Sequence, residues 1–464
     1  MFDRCIYSER RHRLKEEIKS GLALFLGNDE SPMNYPDNPF HFRQDSTFLY
    51  YFGVDSPGLA AIVDLDGGTE TIYGNDLTVE DIVWTGPKPT IAERSLAAGV
   101  ERTGPVTELE EVLMKAKAQG RKIHVLPPYR PENVLKLQKW LDLASDRAKA
   151  EASIDLIRAV VEQRAVKAPE EVEQIERAIN VSTDMHVAAM RMVRPGLSEA
   201  EIAAAVHCIA LAAGIEISFP IIATIHGEIL HNHYHGNILK SGDLFVLDAG
   251  AESQMHYAGD LSSTMPVDLL FTARQRTIYE ITLAAHETAV SALKPGMKFL
   301  DVHLLACRTL TQGLKDIGLM KGDVDEAVHQ GAHALFFPCG VGHMMGLDVH
   351  DMEDLGEVYV GYEGKPKFTQ FGLKSLRLAR PLKPGFVVTI EPGIYFIPQL
   401  IDQWRAADKF SDFIVYDEVE AYRDLGGIRN EEDFLITPEG HHTLGKPKPK
   451  TVAEVESVRS EPRI

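Results

Sequence analysis

The chain has 464 residues, 44% of them hydrophobic, with a formal net charge of -20. That length allows two or three domains around a large core, while the acidic excess argues against nucleic acid and anionic membrane surfaces as partners, since both are held by clustered Lys and Arg. The four cysteines, Cys5, Cys208, Cys307 and Cys339, are scattered without CxxC spacing, so neither a disulfide framework nor a structural zinc site is expected, and a reducing cytoplasm fits.

Taken from the start, Met1-Phe2-Asp3-Arg4-Cys5 with Glu9, Arg10, Arg11 and Arg13 lacks the apolar core of an export signal. No run approaches the roughly 20 apolar residues that span a bilayer, and the expectation is a soluble, unexported protein. From Leu22 to about Leu143 short apolar runs alternate with helical patterns. Leu22 to Leu26, Thr47 to Phe52, Leu59 to Asp64 and Lys122 to Leu126 read as strands, and Thr107 to Gln119 and Asn133 to Leu143 as helices. Gly27 to Pro39, rich in Asn, Asp and Pro, reads as a loop. This is an α/β domain.

A helical stretch from about Ala152 to Val166 leads to Ala168-Pro169-Glu170-Glu171, where a proline in the first turn and acids against the helix dipole mark a new helix. The domain boundary is placed near residue 165, giving a first domain 1–165 and a second 166–464. The helix after Pro169 stops around Arg194-Pro195-Gly196, and Ser198 with Glu201 forms a capping box for the next. Val193-Arg194-Pro195-Gly196-Leu197 is echoed by Leu293-Lys294-Pro295-Gly296-Met297, so helix, turn, helix recurs. Low-complexity sequence is absent, and the Lys- and Pro-rich Gly445 to Lys450 reads as a surface loop.

Downstream of each turn stands the same phrase. Leu239-Lys240-Ser241-Gly242 runs through Phe245, Val246 and Leu247 to Asp248-Ala249-Gly250, and Leu382-Lys383-Pro384-Gly385 runs through Val387, Val388 and Ile390 to Glu391-Pro392-Gly393. Each delivers a carboxylate to a strand end and is followed by a second acidic stretch, Gly259-Asp260-Leu261 and Arg429-Asn430-Glu431-Glu432-Asp433. A pseudo-symmetric fold would bring four carboxylates together, and ionised carboxylates a few Å apart repel strongly unless they share protons or bind cations. Oxygen donors joined by an imidazole suit ions such as Mn²⁺, Co²⁺ or Zn²⁺, and carboxylates can bridge two of them, so a dinuclear hydrolytic site is the leading idea. The segment that lengthens the second copy contains His343 and His350.

With these residues in view, the stretch from about 165 to 450 resembles the pita-bread metallopeptidases (M24) of the methionine aminopeptidase, aminopeptidase P and prolidase group. The matching motifs are Asp248-Ala249-Gly250-Ala251-Glu252, Gly259-Asp260-Leu261-Ser262, Gly340-Val341-Gly342-His343, Glu391-Pro392-Gly393 and Arg429-Asn430-Glu431. The front domain resembles the amino-terminal domain of the proline-specific members through Phe42-Arg43-Gln44-Asp45-Ser46 and Tyr51-Phe52-Gly53-Val54. The resemblance implies an N-terminal α/β domain followed by a duplicated pita-bread catalytic domain.

It also implies that Asp248 holds one metal ion, that Asp260 and Glu431 bridge both, and that His343 and Glu391 complete the second. Mn²⁺ is the ion it implies, with Co²⁺ or Zn²⁺ as alternatives. Glu391 would shuttle a proton to the leaving nitrogen, His231 and His350 would contact substrate and the developing oxyanion, and Arg429 would steady carboxylates from behind. Arg377 matches an arginine that prolidase-like relatives use on the free carboxylate of a dipeptide, against the plainer reading of a surface arginine beside Arg380. His233 and His235 read as loop or entrance residues. Met344, Met345 and Phe336 are candidates for an apolar proline pocket, with core packing as the plainer role.

Three positions depart from the pattern. Cys339 stands where proline-specific relatives carry a histidine, Ser263 replaces a common arginine, and the hairpin between Asp248 and Asp260 is one residue longer, an insertion expected at the tip, since within the ladder it would turn one aspartate away. The resulting expectation is a cytoplasmic, oligomeric (dimeric or tetrameric) exopeptidase acting on peptides with proline in the second position. Xaa-Pro aminopeptidase comes first and Xaa-Pro dipeptidase second. A non-catalytic binding module and a metal-free creatinase-like hydrolase are disfavoured because no ligand position is lost.

Overall fold

In a computed structural model that describes residues 1–462, the run Leu22–Leu26 is a strand buried on both faces, which is why its sequence is continuously apolar rather than alternating. It pairs antiparallel with Ala60–Asp64 (Leu22 opposite Asp64) and parallel with Ile123–His124. Thr69–Tyr73 and then Arg102–Gly104 extend the sheet beyond Ala60–Asp64. On one face Leu22, Leu24 and Ile62 meet Leu109, Leu113, Leu137 and Trp140 from the helices Val106–Ala118 and Pro131–Leu141. Each such large side chain contributes roughly 1.5 to 3 kcal/mol by leaving water. The elements belong to a compact unit formed by Met1–Arg164 with Met352–Val360.

Thr47 to Phe52, expected as a strand, is helical over Ser46–Phe52. The aromatic and β-branched residues suggested a strand, but the caps decide. The Asp45 carboxylate accepts from the Phe48 N–H at 2.8 Å, and Gly53, at φ 62°, ends the helix in a left-handed turn that few other residues adopt cheaply. All seven residues are buried, so no amphipathic period was visible. Phe25 packs on Tyr51 and Phe52. From the first helix, Arg4–Glu17, the buried Arg10 and Arg11 donate to the carbonyls of Tyr50 and Tyr51.

The second unit contains residues 165–351 and the described chain from 361 onward. Its two halves repeat one plan. Helices Pro169–Met192 and Glu199–Ala212 flank the first Pro-Gly turn, with the Ser198/Glu201 capping box formed, and Ala273–Ser291 and Phe299–Asp316 flank the second. The repeat extends to single hydrogen bonds. The N–H of Gly196 donates to the carbonyl of Leu239 and Leu239 donates back to Leu197; Gly296 donates to Leu382 and Leu382 back to Met297.

Each half then supplies a three-stranded antiparallel sheet. Leu244–Asp248 lies between Ser262–Pro266 and Ile222–Thr224, and Glu432–Ile436 lies between Val387–Ile390 and His441–Thr443. Asp248 stands opposite Ser262, and Ile390 opposite Glu432, so both carboxylate-bearing strand ends sit beside the second acidic stretch of their own half. Cross-half bonds join them: Thr264 and Arg429 exchange two hydrogen bonds of 2.9 and 3.0 Å, and the Glu431 N–H donates to the Ser262 carbonyl at 3.1 Å.

The long hairpin keeps its ladder. Ala249 donates to Leu261 and Gly259 to Ala251, while the tip closes from Tyr257 back to Ser253, with His256 in a left-handed conformation at φ 66°. Two glycines make this possible, since a Cβ on Gly250 would sit 1.8 Å from the Gly259 carbonyl oxygen. The segment Gly445 to Lys450, expected at the surface, instead tucks in Lys448, which is 5% exposed and donates to the Ser262 carbonyl at 2.9 Å. Charge alone does not place a lysine in solvent when carbonyl and hydroxyl acceptors surround it. Among the described residues no helix is long and apolar enough to cross a membrane.

Candidate metal centre

A cavity of about 220 Å³ opens in the second unit, and all nine residues expected at the site line it: His231, Asp248, Asp260, His343, His350, Arg377, Glu391, Arg429 and Glu431. Strand ends deliver the carboxylates. His343 arrives on a loop pressed against Val387–Ile390, where a Cβ on Gly342 would lie 2.1 Å from the Thr389 carbonyl oxygen. His343 donates its N–H to Thr389 Oγ1 at 3.2 Å, and Thr389 donates back to the His343 carbonyl at 3.0 Å.

The imidazole is aimed by its second nitrogen. His343 Nδ1 lies 3.0 Å from the Met344 carbonyl oxygen, which accepts from it, so Nε2 faces Asp260 Oδ2 at 3.4 Å and Glu391 Oε1 at 3.6 Å. One ligand atom each from Asp260, His343 and Glu431 fall within 4.8 Å of one another, and all three residues are buried. Asp260 Oδ1 and Glu431 Oε1 are buried oxygens that no protein donor reaches.

Burial, the largest cause, together with neighbouring carboxylates, pushes Asp260 and Glu431 well above the usual carboxylate range. Burial also raises Glu391 to about 7, against the opposing His343 and Arg429 charges. Unpartnered, crowded acceptors beside an aimed imidazole are a donor set for divalent cations. The five residues Asp248, Asp260, His343, Glu391 and Glu431 therefore fit the ions expected from the sequence.

Arg429 anchors this cluster. Its guanidinium donates to Asp248 Oδ2, to Ser262 Oγ at 2.9 Å and to the Tyr395 hydroxyl at 3.0 Å, and Ser262 in turn donates to Glu431 Oε2 at 2.9 Å. Sequence reasoning missed Ser262, Tyr395, Asp433, His186 and Lys448. Asp433 accepts from the Asp260 N–H at 3.2 Å, and it stands in the acidic stretch Arg429-Asn430-Glu431-Glu432-Asp433 without having been singled out there. His186 contacts Ser263 Oγ at 2.9 Å and the Ala249 carbonyl at 3.0 Å, and Lys448 reaches Ser263 at 3.2 Å. A buried lysine thus stands beside the serine that replaces the common arginine.

His350 meets His343 edge to face with ring centroids 4.4 Å apart. It sits beside Asp351, whose carboxylate pairs with Lys167 Nζ at 2.7 Å, both side chains 1% exposed. His231 is on the exposed part of the wall; desolvation in the cavity, then the Arg429 charge, lowers its pKa. His233 joins the wall, and His235 Nε2 instead lies 3.0 Å from the Ile221 carbonyl. Cys339 also faces the cavity, its thiol raised to about 12 by burial and then by the Glu391 charge. Phe219, Pro220, Ile222, Leu230 and Val349 form the apolar wall, whereas Met344, Met345 and Phe336 are buried and do not line it.

Residues 173–438 match Metallopeptidase family M24, and residues 7–125 match the aminopeptidase P N-terminal domain. The chain is 31% identical over 468 residues to the Xaa-Pro aminopeptidase of Escherichia coli (strain K12), covering 97% of each protein. It is 29% identical over 480 residues to the Xaa-Pro dipeptidase of Homo sapiens, covering 98% of this chain and 93% of that one. Among solved structures it is similar to an Escherichia coli aminopeptidase P in complex with substrate, with a TM-score of 0.80, 28% identity, and coverage of 99% of this chain and 98% of that one.

Proposed function

Because the chain belongs to metallopeptidase family M24, we propose that it is an Xaa-Pro aminopeptidase, a dinuclear metal-dependent exopeptidase that releases the N-terminal residue from peptides with proline in second position. The observation that carries this reading is the convergence of four carboxylates and one aimed imidazole on a single cavity in which buried acceptor oxygens lack donors. Asp248, Asp260, His343, Glu391 and Glu431 hold the two ions. When bound, such ions activate water as a nucleophile and polarise a carbonyl.

The chain's own residues do the rest. Glu391, whose Oε1 lies 3.6 Å from His343 Nε2, is placed to accept a proton from water and pass it to the leaving nitrogen. His350 and His231 donate hydrogen bonds to the substrate, His350 where negative charge develops on the carbonyl oxygen. Arg429, fixed by three acceptors, holds the Asp248 carboxylate in one orientation. The apolar wall from Phe219 to Val349 excludes water and accommodates the pyrrolidine ring. This reading carries Mn²⁺ as the native ion, the cytoplasm as the compartment and a homo-oligomer as the working assembly.

A second reading, Xaa-Pro dipeptidase, is favoured by Arg377, whose guanidinium lines the cavity where a dipeptide carboxylate would be gripped bidentately. Hydrolysis of Xaa-Pro and Xaa-Pro-Yaa peptides at defined metal content decides between them. Cleavage of the longer peptides, lost on chelation and restored by Mn²⁺, supports the first; cleavage of the dipeptide alone supports the second.

A further inference from the structure

A second constellation of metal-ligand side chains lies in the same unit, and none of its members lines the catalytic cavity. His303 and Cys307 are four residues apart on the helix Phe299–Asp316 and so share one face. The 3-10 turn Ala332–Leu335 brings His333 against them. One ligand atom from each of the three lies within 4.8 Å of the others, and Cys307 Sγ is 3.5 Å from His303 Nε2. His303 and Cys307 are 0% exposed and His333 is 4% exposed.

The independent sign of a ligand is unused valence. Neither nitrogen of His333 has a hydrogen-bond partner, nor has Nδ1 of His303. A neutral imidazole carries one donor and one acceptor, and a protein interior seldom leaves both idle. Both rings are buried, an environment that favours the neutral imidazole with its lone pair.

We infer that His303, Cys307 and His333 form a structural site for one thiophilic cation of the Cu⁺ or Zn²⁺ type, separate from the catalytic pair. On binding, the Cys307 thiol proton leaves to solvent and a sulfur-metal bond forms. One thiolate and two neutral imidazoles carry a single negative charge, so Cu⁺ leaves the buried site neutral with three ligands, whereas Zn²⁺ completes four with an additional ligand. The bound ion pins the turn that follows Gly331 to the helix.

The test uses Co²⁺, which reports a thiolate ligand by charge-transfer absorption in the near ultraviolet. The full chain is produced in Co²⁺-supplemented medium so that the ion is present as the chain folds. The expected band appears in the wild type, persists in Asp260→Asn and Cys339→Ser, and disappears in Cys307→Ser. No band in the wild type, together with no bound copper that Cys307→Ser removes from protein made in copper-supplemented medium, overturns the inference. A band that survives Cys307→Ser, or is lost in Cys339→Ser, also overturns it. Parallel cultures with added Zn²⁺ or copper identify the preferred ion as the one that suppresses the band, and suppression by neither counts against the site.

Discussion

The rings of His343 and His350 stand edge to face, centroids 4.4 Å apart and planes at 72°, so the aimed imidazole of the metal cluster is braced by a histidine that faces the cavity. Under the proposed function the two rings have different tasks. Replacing His350 by Ala is expected to leave metal content within measurement error of wild type while lowering kcat on the order of 10²-fold, the usual cost of losing an oxyanion donor. Metal analysis and steady-state kinetics on one preparation check this. A loss of metal equal to that of Asp260→Ala would refute the role given to His350.

Asp260→Ala should abolish peptide cleavage and lower bound metal. The carboxylate is 5% exposed, and its main-chain N–H is tied to Asp433. Because Asp433 survives the substitution, the strand should stay folded, with an unchanged far-ultraviolet circular dichroism spectrum.

The metal-free protein should lose stability as pH rises. Glu391 has its carboxyl raised from the ordinary 4.5 to about 7, mainly by burial. A raised folded pKa stabilises fully below the unfolded value, and that contribution is lost as pH climbs through about 7. The metal-free Tm should therefore fall between pH 5 and 8, and adding Mn²⁺ should offset the fall, because binding displaces the same protons. Calorimetry with and without chelator measures both, and a metal-free Tm that is flat or rising over this range contradicts the assignment.

Arg377→Ala should raise KM for Xaa-Pro dipeptides about tenfold, the equivalent of roughly 1.4 kcal/mol of charge-assisted hydrogen bonding. KM for Xaa-Pro-Yaa should change little, since the carboxylate there lies one residue farther away. Equal effects on both lengths would mean that Arg377 does not read the chain end.

Lys167→Met should destabilise the fold by about 3 to 5 kcal/mol, because it removes a buried ammonium that pairs with the buried Asp351 carboxylate at 2.7 Å. Pairing it with Asp351→Leu should recover much of the loss, and an unchanged kcat in the double variant would show that the pair does not position the neighbouring His350. Denaturant melts of the two variants, set beside their kcat values, separate stability from positioning.

Three of the proposed ligands, Asp248, Asp260 and Glu391, were legible because each belongs to a short local phrase, Asp-Ala-Gly, Gly-Asp-Leu or Glu-Pro-Gly, at or beside a strand end. What supports them was not. Ser262 and Arg429 are separated by 167 residues, and Lys448 reaches Ser262 across 186, so only folding puts them together. The helix Ser46–Phe52 was misread for the opposite reason: total burial removed the alternation of polar and apolar residues on which the reading depends.

The paired hydrogen bonds of Gly196 with Leu239 and of Gly296 with Leu382 describe two modules built to one blueprint, now fused in tandem. Fusion frees each copy from having to serve both sides of an axis. The first module offers Asp248 and Asp260, the second Glu391 and Glu431, and the second alone grew the insertion that carries His343 and His350. A centre assembled from twins is therefore lopsided, with His343 and His350 supplied to the cavity by one half alone.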